Sequence, residues 1–315
     1  MPRKILCIDI GGSKILTGIV DETGKVLTKR KRLFDHPDKQ QVVDAILQES
    51  EAVLSENSWR ETPAEEISCI GASIPGLTDS KAGLWVYAPF SKIENLNVRE
   101  LLESRFHKPA FLENDGNICA IGEKRFGHTR DVDDFLWVTV SNGVGAGLVL
   151  NGRLYEGAFK GAGELGHVKV VDHGAPCPCG GRGCLETYAA APGIVRRYQE
   201  LTGSGESITA LAVSELARSG DAAALQIFQD EGFYLGKAIA GAVNVLNLPM
   251  VVIGGGVSGS FDLFAPSLHK TLEEFLFLDA NRQLRVVPTA LGYEASLISA
   301  GACALYGMEA REHSI

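Results

Sequence analysis

Five clusters of residues in this chain have types and spacings that suggest chemistry. Asp9-Ile10-Gly11-Gly12-Ser13-Lys14 follows a short apolar run. Glycines let consecutive backbone N–H groups approach phosphate oxygens, Lys14 adds a positive charge, and Asp9 can hold Mg2+ directly or through water. A Gly-Gly pair between two strands reads equally as a plain hairpin turn. Ser141-Asn142-Gly143-Val144-Gly145-Ala146-Gly147 repeats the arrangement, and Gly254-Gly255-Gly256 gives a third flat surface that can admit an adenosine. None of the three has the spacing of a P-loop or a dinucleotide-binding fingerprint, yet together they point to nucleotide binding.

Asn114-Asp115 offers an amide for one alcohol group and a carboxylate for the next, and one Asp that accepts the nucleophile's proton is a recurring part of phosphoryl transfer. The competing reading is an N-cap for a helix at Asn117. The densest signal is Glu164-Leu165-Gly166-His167 followed by Cys177, Cys179 and Cys184, three thiols within eight residues with glycines between them. That set suits a tetrahedral structural Zn2+ completed by one imidazole, with His167 and His173 both open as the fourth ligand.

The elements that must position these groups alternate β and α in two similar halves, an α/β chain. Strands are expected at residues 4–10, 17–20, 26–32, 67–74, 108–112, 135–140, 148–150 and 250–253. Amphipathic spacing predicts helices over 41–56 and 117–125, a helix-dominated stretch over 211–247 and a small-residue helix over 294–308. At 315 residues, two domains are expected. The formal charge of −9 argues against general nucleic-acid binding, and the basic run at residues 29–32 reads as a solvated strand edge. No signal peptide or membrane span is expected after the first residues, and the thiol usage fits a reducing, cytoplasmic setting.

From Asp9 to about Met308 the chain resembles ROK-family sugar kinases, on Asp9-Ile10-Gly11-Gly12-Ser13-Lys14, Glu113-Asn114-Asp115-Gly116-Asn117, Glu164-Leu165-Gly166-His167 and the cysteine signature ending at Glu186. The resemblance implies an actin-like (ribonuclease H-like) two-domain fold, with residues 1–115 joined by the terminal helix 295–315 and residues 116–294 carrying the zinc loop. It implies an ATP-dependent hexose kinase, glucokinase-like, with an N-acetylmannosamine or N-acetylglucosamine kinase as the alternative. Asp115 would be the base, and Gly76, Asn114, Asp115, Glu164, His167 and Glu186 would bind the sugar. Asp9, Gly11, Gly12, Ser13, Lys14, Gly143, Gly145, Gly255 and Gly256 would serve Mg-ATP, and His167 would join Cys177, Cys179 and Cys184 on zinc. A homodimer or homotetramer is also implied. Family kinases usually carry Thr in both phosphate turns, where this chain has Ser13 and Asn142. The family's repressors add an N-terminal DNA-binding domain, and Asp9 lies early for one, so a catalytically silent sugar sensor is the reading from another class.

Overall fold

The structure is a computed structural model, and it describes residues 3–35, 37–56, 59, 66–88 and 91–312. The chain divides into two units, Met1–Asp131 with Ala290–Ile315, and Val132–Thr289.

Unit 1 opens with β1 (Lys4–Ile10) and β2 (Lys14–Asp21), an antiparallel hairpin across the first glycine turn, extended by β3 (Val26–Leu33). Lys14 is thus the first residue of a strand and not part of the turn itself. The basic run on β3 is ion-paired: Lys29 meets Glu294, and Arg30 lies 3.3 Å from both Glu49 and Glu56. The next element, α1 (Lys39–Ser55), starts at a capping box in which Asp38 and Gln41 satisfy each other's backbone N–H. Its Val42, Ala45, Ile46 and Val53 are buried with Ile8, Ile10, Ile15 and Ile19 of the sheet. Then come β4 (Cys69–Ile74), β5 (Leu77–Asp79), β6 (Leu84–Ala88), β7 (Ile93–Asn97), α2 (Val98–Phe106), β8 (Ala110–Asn114) and α3 (Asp115–Phe126). The main sheet has the order β3-β2-β1-β4-β8, with β1, β4 and β8 parallel, while β5, β6 and β7 form a small antiparallel sheet that sequence periodicity had not marked.

Unit 2 contains β9 (Phe135–Val140), β10 (Val144–Leu150), β11 (Arg153–Leu154), α4 (Leu185–Ala189), α5 (Ala191–Thr202), α6 (Ala210–Arg218), α7 (Ala222–Leu246), β12 (Met250–Gly254), α8 (Phe261–Phe275) and β13 (Arg285–Pro288). Its sheet, β11-β10-β9-β12-β13, repeats the unit 1 topology: an antiparallel hairpin with a third antiparallel strand on one side and two parallel strands on the other. The helical stretch expected over 211–247 is two helices. Gly220 at φ 92° breaks it, and Asp221 caps the second by accepting from the Ala224 N–H at 2.7 Å. The core includes Val138, Leu185, Ile194, Phe228, Leu235, Ile239 and Phe264.

The last element, α9 (Ala295–Glu312), falls in unit 1; residues 313–315 lie outside the described residues. The division falls at Asp131/Val132, later than the border expected after Asp115. The reason is α3, which packs on α9: a Cβ on Gly122 would lie 1.9 Å from Ser299 Oγ, Cys119 Sγ is 3.6 Å from Ser296 Oγ, and Arg125 forks onto Glu309 at 2.9 and 3.2 Å. A helix held this closely cannot belong to the other unit. Likewise β4 and α9 meet backbone to backbone, since a Cβ on Gly71 would lie 1.9 Å from Ala300 O.

That contact sets an expected outcome. Gly71→Ala forces strand and helix apart and should cost at least about 3 kcal/mol of unfolding free energy. Gly241→Ala, in α7 with nothing within 4 Å of the added Cβ, should be neutral or gain up to about 1 kcal/mol. Urea midpoints of the two variants check this, and equal midpoints would refute the close-approach argument.

Candidate active site

In unit 1 the parallel strands bring the candidate residues to one edge. Asp9 pairs in register with Ser73, Ser73 with Glu113, and Ile74 with Asn114. Strand C-termini in α/β sheets are where ligands collect. The first glycine turn is closed by Gly11 N–H donating to Lys14 O at 2.8 Å, with Gly12 and Ser13 at its exposed tip. Gly76 follows β4 at φ 82°, and a Cβ there would lie 2.5 Å from Tyr87 O, so only glycine suits the position. Its carbonyl accepts from Asn114 Nδ2 at 2.9 Å, which brings Gly76 and Asn114 together.

The capping reading of Asn114-Asp115 is seen directly. Asn114 is the N-cap of α3, its Oδ1 accepting from the N–H groups of Gly116 at 2.9 Å and Asn117 at 3.4 Å. Asp115 is then the first helical residue, with Oδ1 accepting from the Gly116 N–H at 2.9 Å. The N–H groups of a helix's first turn make this a favourable position for an acidic side chain. Behind it the buried Glu113 accepts from Asn114 N and Asn117 Nδ2 at 2.8 and 3.3 Å. Asp9 is pushed up to about 6, mainly by burial and further by the neighbouring Asp115, against the pull of Lys14.

In unit 2 the other two glycine turns lie side by side at the ends of β9 and β12. Ser141 N–H donates to Gly143 O at 2.9 Å, and Gly145 follows on β10 opposite Thr139. Gly255, at φ 88°, presses on β9 so that a Cβ would lie 2.4 Å from Val140 O, and Gly256 faces Ser141 Oγ.

The thiols converge as well. One ligand atom each from His167, Cys177, Cys179 and Cys184 lies within 4.8 Å of every other. Cys179 and Cys184 sulfurs are 3.6 Å apart, and Cys177 Sγ is 3.9 Å from His167 Nδ1. Tetrahedral zinc with Zn–S of about 2.3 Å requires sulfurs about 3.8 Å apart, so the donor set and its spacing fit that ion. His167, and not His173, is the imidazole in the cluster. Lys169 Nζ stands 2.8 Å from Cys184 Sγ and would offset the charge of three thiolates. Glu164 is exposed, its carboxylate 3.9 Å from His167 Nε2. Glu186, in the first turn of α4, accepts through Oε2 from the Val144 N–H at 3.0 Å, which ties it to the second glycine turn.

The family model described as "ROK family" matches residues 5–307. The chain belongs to the ROK family. It is 32% identical over 316 residues to a glucokinase of Thermotoga maritima, with 95% of this chain and 97% of that one covered. It is 30% identical to a putative xylose repressor of Caldicellulosiruptor sp., covering 96% of this chain and 78% of that one. Among solved structures, a ROK family glucokinase from Streptomyces griseus in complex with glucose and AMPPNP superposes with a TM-score of 0.83 at 29% identity, covering 96% and 100%. These likenesses carry the actin-like two-domain fold of ROK sugar kinases. Among the described residues no helix is long and apolar enough to cross a membrane.

Two site neighbours escaped the motifs. Tyr293 receives a hydrogen bond from Lys14 Nζ at 3.1 Å, the ammonium also lying 4.5 Å from the ring centroid; 279 positions separate the pair, and only the return of the chain into unit 1 joins them. Lys169 precedes the cysteines and reaches them through the bridge to Cys184.

The position of Asp9 makes a pH-dependent outcome. Its carboxyl holds a proton more tightly folded than unfolded, so folding loses stability as pH rises from about 4 through about 6, where the folded group ionises. In magnesium-free buffer Asp9→Asn should therefore be more stable than the parent at pH 8, by on the order of 2 kcal/mol, with the gap closing toward pH 4.5. Chemical denaturation at both pH values tests this; a gap independent of pH would mean that Asp9 is not strained by its charge.

Proposed function

We propose that this ROK-family chain is an ATP-dependent hexose kinase that transfers the γ-phosphoryl group of ATP to the C6 hydroxyl of glucose, with Asp115 as the base. The observation that carries the reading is the carboxylate of Asp115 at the end of β8, beside Asp9 and the first glycine turn. In unit 1, backbone N–H groups of Gly11, Gly12 and Ser13 and the ammonium of Lys14 receive phosphate oxygens, and Asp9 holds the magnesium that accompanies ATP. In unit 2, Gly143, Gly145, Gly255 and Gly256 receive the nucleotide. Gly76, Asn114, Glu164, His167 and Glu186 orient the sugar. Lys14 neutralises charge on the phosphates and a magnesium ion held by Asp9 would add to it, which is most of what phosphoryl transfer asks of a protein.

The step balances simply. Asp115 takes the proton of the C6 hydroxyl as its oxygen bonds to the γ-phosphorus, the bond from that phosphorus to the β–γ bridging oxygen breaks, and ADP leaves with the electron pair. Sugar polar groups left unmatched by the site cost about 1–3 kcal/mol each, so one epimerised hydroxyl reduces efficiency roughly ten- to a hundredfold.

Asp115→Asn should keep the fold and sugar binding and lose about 10²–10⁴-fold in kcat. A coupled ADP-release assay with a hexose panel measures both variant and specificity. Turnover of the variant within a few-fold of the parent removes Asp115 from the mechanism. Higher kcat/KM with N-acetylmannosamine or N-acetylglucosamine than with glucose replaces the substrate assignment. The repressor among the relatives supports a second reading, a sugar sensor without catalysis, and ATP turnover that no sugar stimulates would favour it.

For the thiol cluster we assign Zn2+ held by Cys177, Cys179, Cys184 and His167, a structural ion that fixes the loop bearing Glu164 and His167. Protein purified without added metal should contain about one zinc per chain. Cys179→Ser should lower that content and His173→Ala should not; zinc unchanged in Cys179→Ser would dismiss the site.

A further inference from the structure

Both arms of the thiol cluster rest on β10, the strand that leaves the second glycine turn. On the His167 arm, a Cβ on Gly166 would lie 2.0 Å from Val144 O, and one on Gly163 would lie 2.3 Å from Ala146 O. This loop is therefore packed directly on the β10 backbone. On the Cys184 arm, α4 begins immediately after the cysteine, with Leu185 buried and its N–H donating to Val168 O at 2.9 Å. One residue further, Glu186 Oε2 accepts from the Val144 N–H at 3.0 Å, and a Cβ on Gly143 would stand 2.7 Å from the same oxygen. At the start of α5, the Ala191 N–H donates to Ser141 O at 2.8 Å. The turn over residues 141–144 is thus held from the cysteine side by a carboxylate and an amide, and from the histidine side by backbone packing.

From this geometry we infer that Glu186 is a positioning residue for the nucleotide turn, and that metal binding at Cys177, Cys179, Cys184 and His167 sets the affinity of unit 2 for nucleotide. The inference rests on the assignment of Gly143 and Gly145 to nucleotide. Metal fixes Cys184 and His167; these fix α4 and the 163–167 loop; and those hold the turn's backbone N–H groups in one arrangement. Without metal the two arms lose their common anchor, and the turn must be ordered by the nucleotide itself. Coupling of this kind is reciprocal, so nucleotide must tighten metal binding by the factor by which metal tightens nucleotide binding.

The experiment is equilibrium binding of Mg-ADP to the full chain by titration calorimetry, without sugar, alongside elemental analysis of each sample. Zinc-loaded parent, parent stripped with 1,10-phenanthroline and then resupplied with magnesium, Glu186→Ala and Glu186→Gln are compared. Stripping and Glu186→Ala should each raise the ADP Kd by about tenfold, the scale of one charge-assisted hydrogen bond. Glu186→Ala should do so while retaining its zinc, which separates a displaced turn from a lost ion. Glu186→Gln, whose amide oxygen still accepts from Val144, should stay within about threefold of the parent. In a chelator competition, ADP should lower the zinc Kd by the same factor as zinc lowers that of ADP. An ADP Kd that is equal in loaded and stripped parent overturns the inference, as does zinc-loaded Glu186→Ala binding ADP like the parent. If loaded parent binds no ADP at all, the nucleotide assignment itself falls and takes the inference with it, a result distinct from equal affinities.

Discussion

Three parallel strands ending at one level place the candidate base and the candidate phosphate turn together. With Asp9, Ser73 and Glu113 in register on β1, β4 and β8, the residues that follow each strand emerge as neighbours: the first glycine turn, Gly76, and Asp115 at the head of α3. A slip of one residue in either pairing would turn the alternate faces of a strand over and carry Asp9 or Asn114 to the wrong side. What holds the register is burial. Leu6, Ile8, Ile70, Ala72 and Leu112 fill one core, and β4 admits no side chain at Gly71 because α9 lies against it. The placement of the candidate groups at the strand ends thus depends on apolar packing in the core behind them.

The same topology in unit 2 serves a different task. There the aligned strand ends are β9 and β12, and what emerges is backbone: the turn at 141–143 and the glycines at 255–256. Flat glycine surfaces admit a large planar or polyanionic ligand without offering side chains that would select among small ones. Side chains that could discriminate lie elsewhere in this unit, Glu164, His167 and Glu186 among them. A loop as rich in glycine as 157–183 has little core of its own to order it, and it is there that four candidate metal ligands converge.

The sequence was most legible where chemistry and turn geometry coincide. Short strands beside Gly-Gly turns, the Asn-Asp pair at a strand end and three cysteines in a glycine-rich knuckle each have a local signature, and each of these clusters stands in the structure as a local unit. Less legible was anything set by distant contacts. That α3 belongs with α9 follows from Gly122 against Ser299, a pairing no periodicity announces. The strands β5 to β7 are short and partly exposed, so they lack the apolar alternation that marks a strand. Tyr293 reaches Lys14 only because the chain returns to unit 1, and Glu186 binds Val144 only because α4 packs beside β10. Sequence spacing predicts local geometry, whereas these contacts are products of topology.

The arrangement around Asp115 bears on what this scaffold was selected to do. The cap of α3 is already supplied by Asn114, whose Oδ1 serves two backbone N–H groups. Asp115 adds a further acceptor there, its Oδ1 taking the Gly116 N–H at 2.9 Å. Asp115 nevertheless stands there as a carboxylate near Asp9, and its charge helps push the Asp9 carboxyl up to about 6. Two carboxylates placed so that one hinders the other's ionisation are a cost to the fold, and costs of that kind concentrate where function demands them. A cation beside Asp9 would relieve the repulsion. A buried acid held up chiefly by burial, with a second acid beside it, is an arrangement that recurs at functional sites.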